Sequence, residues 1–233
     1  MDKGNFFAGL AVMVGLIVLG AMLPVSVARM KASDRTVTVK GLCEREVAAD
    51  KVIWPVKYKV VGNDLSSVYA EIEKKNGIVT AFLADGGVAE SEVTVSSPVV
   101  SDKYAQEYGS NDRPYRYVAS STITVCTKDV DKVLALMGKQ SSLIKQGIAP
   151  GGEWDSVPVF SFEGLNDIKP AMIQEATMNA REVAMRFAED SHSRLGKIKT
   201  ASQGTFSIED RDSNTPQIKK VRVVTGVVYY LNR

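Results

Sequence analysis

An uncharged apolar segment near the N terminus constrains this chain more than any other feature. Residues 6–28 read FFAGLAVMVGLIVLGAMLPVSVA and contain no Asp, Glu, Lys or Arg. A helix rises about 1.5 Å per residue, so about 20 apolar residues cross a hydrocarbon layer of about 30 Å. We therefore expect a signal-anchor or transmembrane helix within residues 1–28, a linker at 29–35 and one soluble domain at 36–233.

The same segment is compatible with a cleaved signal peptide. Lys3 provides a positive start, and residues 26–28 (SVA) provide a small-x-small exit, so the chain could be cut after residue 28. The apolar core is longer than the ~7–15 residues of a signal peptide, which favours an uncleaved anchor. Arg29, Lys31 and Arg35 follow the segment, and this charge pattern predicts a cytoplasmic domain. A short tail before a long apolar run is typical of secreted chains, so we expect export.

Composition places the remainder among ordinary soluble proteins. Apolar residues make up 45% and charged residues 24% of the chain, and the formal net charge is only +2. Such a balance is normal for a globular domain and argues against disorder. It produces no strong field for an acidic partner, so we expect no binding to nucleic acid.

The order of secondary structure predicts an α+β fold with three helices and a mostly antiparallel sheet. Strand-like alternation begins at residues 36–39, and apolar residues at helical spacing follow the caps Asp64 and Asp129. Pro55 removes a ladder donor from the second strand, which predicts an edge position or a bulge there. The predicted order is ββα-ββα-β-α-ββ, with helices starting near residues 65, 130 and 167 and strands near 36–46, 52–61, 92–108, 115–127, 157–162, 197–208 and 217–231.

The sequence contains no recognisable catalytic motif. Its one histidine, His192, stands at the predicted end of the third helix, where a cation is favourable for electrostatic reasons alone. Structural zinc sites need four Cys or His ligands, which this chain does not supply. Residues 210–214 (DRDSN) resemble the start of a calcium loop, but Thr215 and Val221 stand where glycine and glutamate are needed. A hairpin turn explains these residues better, and we expect no metal, no cofactor and no catalytic residue.

One predicted hairpin is rich in aromatic residues. Tyr104, Tyr108, Tyr115 and Tyr117 bracket a turn that contains Arg113. Aromatic and basic residues together could stack on single-stranded nucleic acid, but the near-neutral charge makes that partner a poor match. Cross-strand aromatic pairs also stabilise sheets and dock partners. We interpret this hairpin as a surface for self-association.

The two cysteines allow two interpretations. Cys43 and Cys126 both lie in strand-like stretches, and an exported protein could join them in one disulfide. Two small buried apolar side chains would explain them more simply, because a domain of this size does not require a bridge. The sequence favours the second interpretation.

Several stretches resemble the SIMPL-domain family. The similarity covers about residues 36–232, and it lies in the order of strand and helix positions rather than in reactive groups. It is carried by residues 39–41 (VKG), 47–50 (VAAD), 117–125, 129–133, 176–184 (ATMNAREVA) and 195–198 (LGKI).

This resemblance implies a bacterial α+β protein of the periplasm or cell envelope. It also implies large ring-like homo-oligomers in some members and a loose association with oxidative stress, and no catalytic residues carry over to this chain. The long apolar segment departs from the family pattern and favours an inner-membrane, single-pass protein with its domain in the periplasm. We expect a non-catalytic protein that self-assembles as a scaffold or partner-binding module. The alternative is a small-ligand binder or enzyme with a motif-less site, for which His192 is the best candidate.

Overall fold

The computed structural model describes residues 12–17, 20, 35–105, 114–152 and 154–232 of the 233-residue chain. Residues 12–17 are helical. Most of the apolar segment at 6–28 lies outside the described residues. Among the helices that the described residues form, none combines the length and the apolarity needed to cross a membrane.

From residue 35 onward, the described residues form nine strands and four α-helices. The strands are β1 (Thr36–Ala48), β2 (Lys51–Gly62), β3 (Val93–Val95), β4 (Val99–Asp102), β5 (Tyr117–Thr127), β6 (Val159–Ser161), β7 (Arg194–Gln203), β8 (Ser207–Asp210) and β9 (Ile218–Asn232). The helices are α1 (Leu65–Asp85), α2 (Val130–Gly138), α3 (Ser141–Lys145) and α4 (Leu165–Asp190).

These elements form two sheets in two compact units. The first unit comprises Met1–Arg45, Asp167–Ser207 and Val221–Arg233, and the second comprises Glu46–Asn166 and Ile208–Lys220. One sheet has the order β1-β9-β7 with β8 also paired to β9, and the other has the order β3-β5-β2-β6 with β4 also paired to β5. The recorded pairings are antiparallel. The predicted α+β class and antiparallel pairing are confirmed.

In the first unit, α4 packs closely on the sheet. Its buried residues recur every four positions and, after the first, are all alanine, which lets the helix approach the strands: Met172, Ala176, Ala180, Ala184 and Ala188. The closest approach is at Gly41 of β1, where an added Cβ would lie 1.8 Å from the Ala176 carbonyl oxygen. Ala180 and Ala184 share a core with Val39, Val227 and Tyr229.

In the second unit, β2 and β5 form the centre of the sheet. They pair continuously from Val52 opposite Thr127 to Gly62 opposite Tyr117. Alternate residues of both strands are buried and share one core with α1 and α2. The buried members from these four elements are Val52, Trp54, Val56, Tyr58, Val60, Ala119, Ile123, Val125, Val68, Ile72, Val79, Leu83, Val130, Val133 and Leu136.

A buried hydrogen-bond network fixes α1 on this sheet. The Tyr58 hydroxyl donates to Asn76 Oδ1 at 2.7 Å, and the Ser121 hydroxyl donates to the same oxygen at 2.8 Å. Buried polar groups need such partners, because an unpaired group loses its hydration without compensation. The network therefore sets the position of α1 along β2 and β5.

Three details of the predicted element order are wrong. The long strand expected at 92–108 consists of β3 and β4, which are separated at residues 96–98, where Pro98 cannot donate to a ladder. The single helix expected after Asp129 is divided into α2 and α3. The strand expected at 197–208 is divided into β7 and β8, which are separated at residues 204–206. The predicted antiparallel sheet forms two sheets, and the described residues from 35 onward contain four α-helices rather than the three predicted.

Candidate functional site

An open groove lies at one end of the sheet of the second unit. It measures about 650 Å³ and is formed by the first turns of α1 together with β4 and β5. Its lining is mostly apolar and aromatic, with one serine and one carboxylate: Leu65, Tyr69, Val100, Tyr117, Ser66 and Asp102. Apolar concavities with a few polar groups are the usual form of binding sites.

The start of α1 determines what this groove presents. Asp64 caps the helix, because its carboxylate accepts hydrogen bonds from the Ser67 amide at 2.8 Å and the Ser67 hydroxyl at 2.7 Å. Leu65 and Tyr69 therefore stand on the first two turns, where they are 46% and 49% exposed. Large apolar side chains that stay half exposed beside a groove indicate a contact surface.

An ion pair closes one side of the groove. Arg116 donates to Asp102 with both Nε and Nη2, at 3.1 and 2.9 Å from Oδ2, and its guanidinium lies 4.9 Å from the Tyr117 ring centroid. The Arg116 hydrogen bonds lower the pKa of Asp102 below its ordinary value, and Asp102 raises the pKa of Arg116. Because the two charges neutralise each other, the groove offers an apolar partner little electrostatic hindrance.

Three of the five predicted hairpin residues lie within the described residues. Beyond the end of β4, the Lys103 amide donates to the Arg116 carbonyl at 2.7 Å, so the β4–β5 ladder continues by one more residue pair. Tyr104 comes directly after Lys103, and Tyr115 comes directly before Arg116. These two tyrosines are 50% and 47% exposed, and Tyr117 lines the groove. The remaining two, Tyr108 and Arg113, fall at positions that the structure does not describe.

The groove borders an open sheet edge. Among the described residues, β3 and β4 pair with β5 only. Since the Lys103 amide points toward β5, strand alternation directs the Val100 amide away from it. Val99 and Val100 are 69% and 41% exposed on this edge. An edge strand with outward main-chain groups is a ready template for another strand.

The helical part of this site was not predicted from the sequence. Leu65 and Tyr69 fall on the apolar stripe of α1, and this spacing indicates a helix without showing which of its apolar residues stay exposed. Their exposure depends on where the sheet ends beneath the helix, which is a tertiary property. The Asp64 cap could have indicated this exposure, because apolar residues in the first turn of a helix lie at the margin of its packed face.

Both cysteines are free thiols in the structure; the interpretation as buried apolar side chains is correct for Cys43 on β1 and wrong for Cys126, which is exposed on β5. Burial raises the pKa of Cys43, and the neighbouring Glu175 carboxylate raises it further. Glu175 also accepts a hydrogen bond of 2.9 Å from Arg45. A thiol with a raised pKa is a poor nucleophile at neutral pH, so this group of side chains has structural rather than reactive character.

His192 has a structural position at the end of α4. Its φ is 52°, and its amide donates to the Glu189 carbonyl at 2.9 Å while the Ser193 amide donates to the Ala188 carbonyl at 2.8 Å. These two bonds form a Schellman motif with histidine at the left-handed position. The residue therefore terminates the helix, as its place in the sequence indicated.

The acidic segment at 210–214 forms the turn between β8 and β9. Asp212 accepts bonds of 2.8 Å from the amides of Asn214 and Thr215, and its carboxylate also contacts the Thr215 hydroxyl and Arg211. These donors, the Thr215 hydroxyl above all, lower the pKa of Asp212 to about 2. Within the described residues, no three His, Cys, Asp or Glu side chains are grouped to hold a metal ion.

The structure thus defines an α+β protein with two antiparallel sheets and an aromatic groove beside an open strand edge. The family model of SIMPL, described as a protein of unknown function (DUF541), matches residues 37–227. The chain belongs to the SIMPL family, which confirms the resemblance seen in its sequence. No curated protein matches the chain.

Proposed function

We propose that this chain is a non-catalytic cell-envelope protein, anchored by residues 6–28, whose domain faces the periplasm and self-assembles as a scaffold or partner-binding module. The groove of Leu65, Tyr69, Val100 and Tyr117 beside the β4 edge is the observation that carries the proposal. Its occupant is a second copy of the chain.

Three properties of the groove support a protein partner. Its tyrosines combine a large apolar area with a polar tip, the composition that protein interfaces favour. Its charged groups are already paired with each other through Asp102 and Arg116. The adjacent β4 edge adds main-chain hydrogen bonds that a second strand can complete, while side-chain contacts in the groove fix its register.

Light scattering behind size exclusion on residues 29–233 tests self-assembly. Both hydrophobic cores consist of residues from 37 onward, so this fragment retains all of their members. We expect a discrete species of more than one chain over a wide concentration range. A strict monomer at every concentration would contradict the proposal.

Two substitutions separate the groove from the edge. Tyr69→Ser removes an aromatic contact, and Val100→Pro removes an outward amide without disturbing the β4–β5 ladder. Loss of an aromatic hot spot costs about 2 kcal/mol, or roughly 30-fold in dissociation constant. The assemblies of both variants should therefore dissociate at concentrations at which the wild type stays assembled. Ile144→Ser is the control, because Ile144 is 59% exposed on α3 and does not line the groove. Equal dissociation of Tyr69→Ser and the control would exclude the groove as the interface.

A further inference from the structure

Three strand ends meet where the described domain begins. The Leu231 amide at the end of β9 donates to the Arg35 carbonyl at 2.8 Å, just before β1. Arg194, the first residue of β7, pairs with Asn232. The start of β1, the end of β9 and the start of β7 therefore lie at one end of the sheet of the first unit.

This end of the sheet is cationic. Four exposed basic side chains lie at or near it: Arg35 and Arg194 at the starts of their strands, and Lys197 and Lys199 three and five residues after Arg194 on β7. The carboxylates that precede β7 on the same unit are Glu189 and Asp190, at the end of α4. The described residues at this end thus carry four cations against two carboxylates.

Two irregularities in β7 affect the arrangement of these basic side chains. The β7–β9 register shifts between Leu195 and Ile198 and again between Ile198 and Thr200, so Lys197 and Lys199 lie within the shifted segments. Bulges of this kind re-aim side chains at a sheet margin. The Lys199 ammonium lies 5.3 Å from the ring centroid of Tyr230, which places an aromatic ring among the cations.

The length of the preceding chain limits how far this end can lie from a membrane. If the anchor ends at residue 28, residues 29–35 span at most about 25 Å when fully extended. A path of about a third of that length brings the cations within the Debye length of about 8 Å from the headgroups at physiological salt. The tether therefore keeps this surface within about 25 Å of the bilayer, which rests on the proposed anchor.

We propose that the cationic end formed by Arg35, Arg194, Lys197 and Lys199 binds the anionic phospholipid headgroups of the membrane that anchors the chain. Each basic side chain held near an anionic surface strengthens binding by roughly fivefold. Tyr230 adds an amphipathic ring suited to the headgroup region. The competing explanation is that these cations only prevent β7 from pairing with other edges.

Lysine acetylation of the full-length chain in lipid nanodiscs tests the proposal. Nanodiscs are prepared from phosphatidylcholine alone and from its mixture with phosphatidylglycerol. We expect Lys197 and Lys199 to react about fivefold more slowly in the anionic nanodiscs. At about 1 M NaCl, where the Debye length is about 3 Å, this protection should disappear. Lys139 and Lys145, exposed on the second unit, report any general effect of the anionic lipid on acetylation, and the rates at Lys197 and Lys199 are expressed relative to theirs.

Variants distinguish lipid binding from edge protection. Arg194→Gln with Lys197→Gln should remove most of the protection at Lys199, whereas Lys139→Gln with Lys145→Gln should leave it intact. Equal Lys199 reactivity in both lipids would overturn the proposal, as would equal protection by inorganic phosphate in phosphatidylcholine nanodiscs. Aggregation of the first variant without lipid, together with lipid-independent labelling, would establish edge protection instead.

The same preparation tests headgroup binding and the proposed membrane anchor independently of each other. A chain that elutes apart from the nanodiscs refutes anchoring, and Lys199 labelling is then compared with vesicles of the same two lipids. Protection by the anionic vesicles would still support headgroup binding. Equal reactivity would overturn it independently of the anchor.

Discussion

Thr225 carries a buried hydroxyl that the rest of the described chain does not satisfy. It lies on β9 in the first unit with 4% exposure, and its Oγ1 has no hydrogen-bond partner among the described residues. A buried hydroxyl without a partner costs about 1–3 kcal/mol in desolvation. Valine has nearly the same shape and carries no polar atom.

We expect Thr225→Val to raise the free energy of unfolding by about 1 kcal/mol, as measured by urea denaturation. Thr127→Val is the matched control, because Thr127 is also 4% exposed but donates to Glu92 Oε1 at 2.6 Å. Removal of that hydroxyl should lower stability by about 1–3 kcal/mol. Destabilisation of both variants by the same amount would show that the Thr225 hydroxyl is satisfied in solution.

At the scale of elements, the contact between β1 and α4 depends on one missing side chain. A Cβ at Gly41 would lie 1.8 Å from the Ala176 carbonyl oxygen and 2.5 Å from the Ala180 amide nitrogen. Backbone atoms cannot move aside as a flexible side chain can, so the helix and the strand would have to separate. Overpacking of this kind costs about 1–3 kcal/mol or more.

We therefore expect Gly41→Ala to lower the free energy of unfolding by about 3 kcal/mol in chemical denaturation. Gly77→Ala provides the opposite control. Gly77 lies within α1, and no atom lies within 4 Å of an added Cβ, so alanine should stabilise the helix by about 0.5–1 kcal/mol. An unchanged midpoint for Gly41→Ala would mean that α4 approaches β1 less closely than the structure shows.

The sequence predicted local features of the strands where one residue, such as proline, limits the hydrogen bonding of the backbone. β2 is an interior strand, but Pro55 pairs with Thr124 on one side only, because β6 pairs with β2 only at Lys51–Ile53; on its other side Pro55 has no strand partner among the described residues. The same rule applied to Pro98 would have divided the strand predicted at 92–108. The existence of two sheets was beyond the sequence, since β1 pairs with β9 at the other end of the chain.

The candidate site was predictable only in part for the same reason. The tyrosines of the β4–β5 hairpin are close in sequence, and the turn-forming residues between them predict that the two strands pair. The α1 side of the groove joins them only after the helix has packed on the sheet. The exposed fractions of Leu65 and Tyr69 therefore follow from tertiary structure rather than from helical periodicity.

For the molecule as a whole, its ionisable groups define limits of stability at both ends of the pH scale. The Thr215 hydroxyl and other donors lower the pKa of Asp212 to about 2, and Arg45 lowers the pKa of Glu175. A lowered folded-state pKa contributes stability above the unfolded value, which is lost as pH falls toward the folded value. Burial raises the pKa values of Cys43 and Tyr58, whose contribution is complete at neutral pH and is lost as pH rises.

We expect the thermal midpoint to be level near neutral pH and to fall on both sides. The acid decline should run from about pH 4.5 to about pH 2, between the ordinary carboxyl pKa values and that of Asp212. Asp212→Asn should flatten the lowest part of this decline, because asparagine does not titrate, whereas Cys43→Ala should change only the alkaline side. Calorimetry across the pH range measures both limbs. An acid limb identical in the wild type and Asp212→Asn would mean that the β8–β9 turn does not couple to global unfolding.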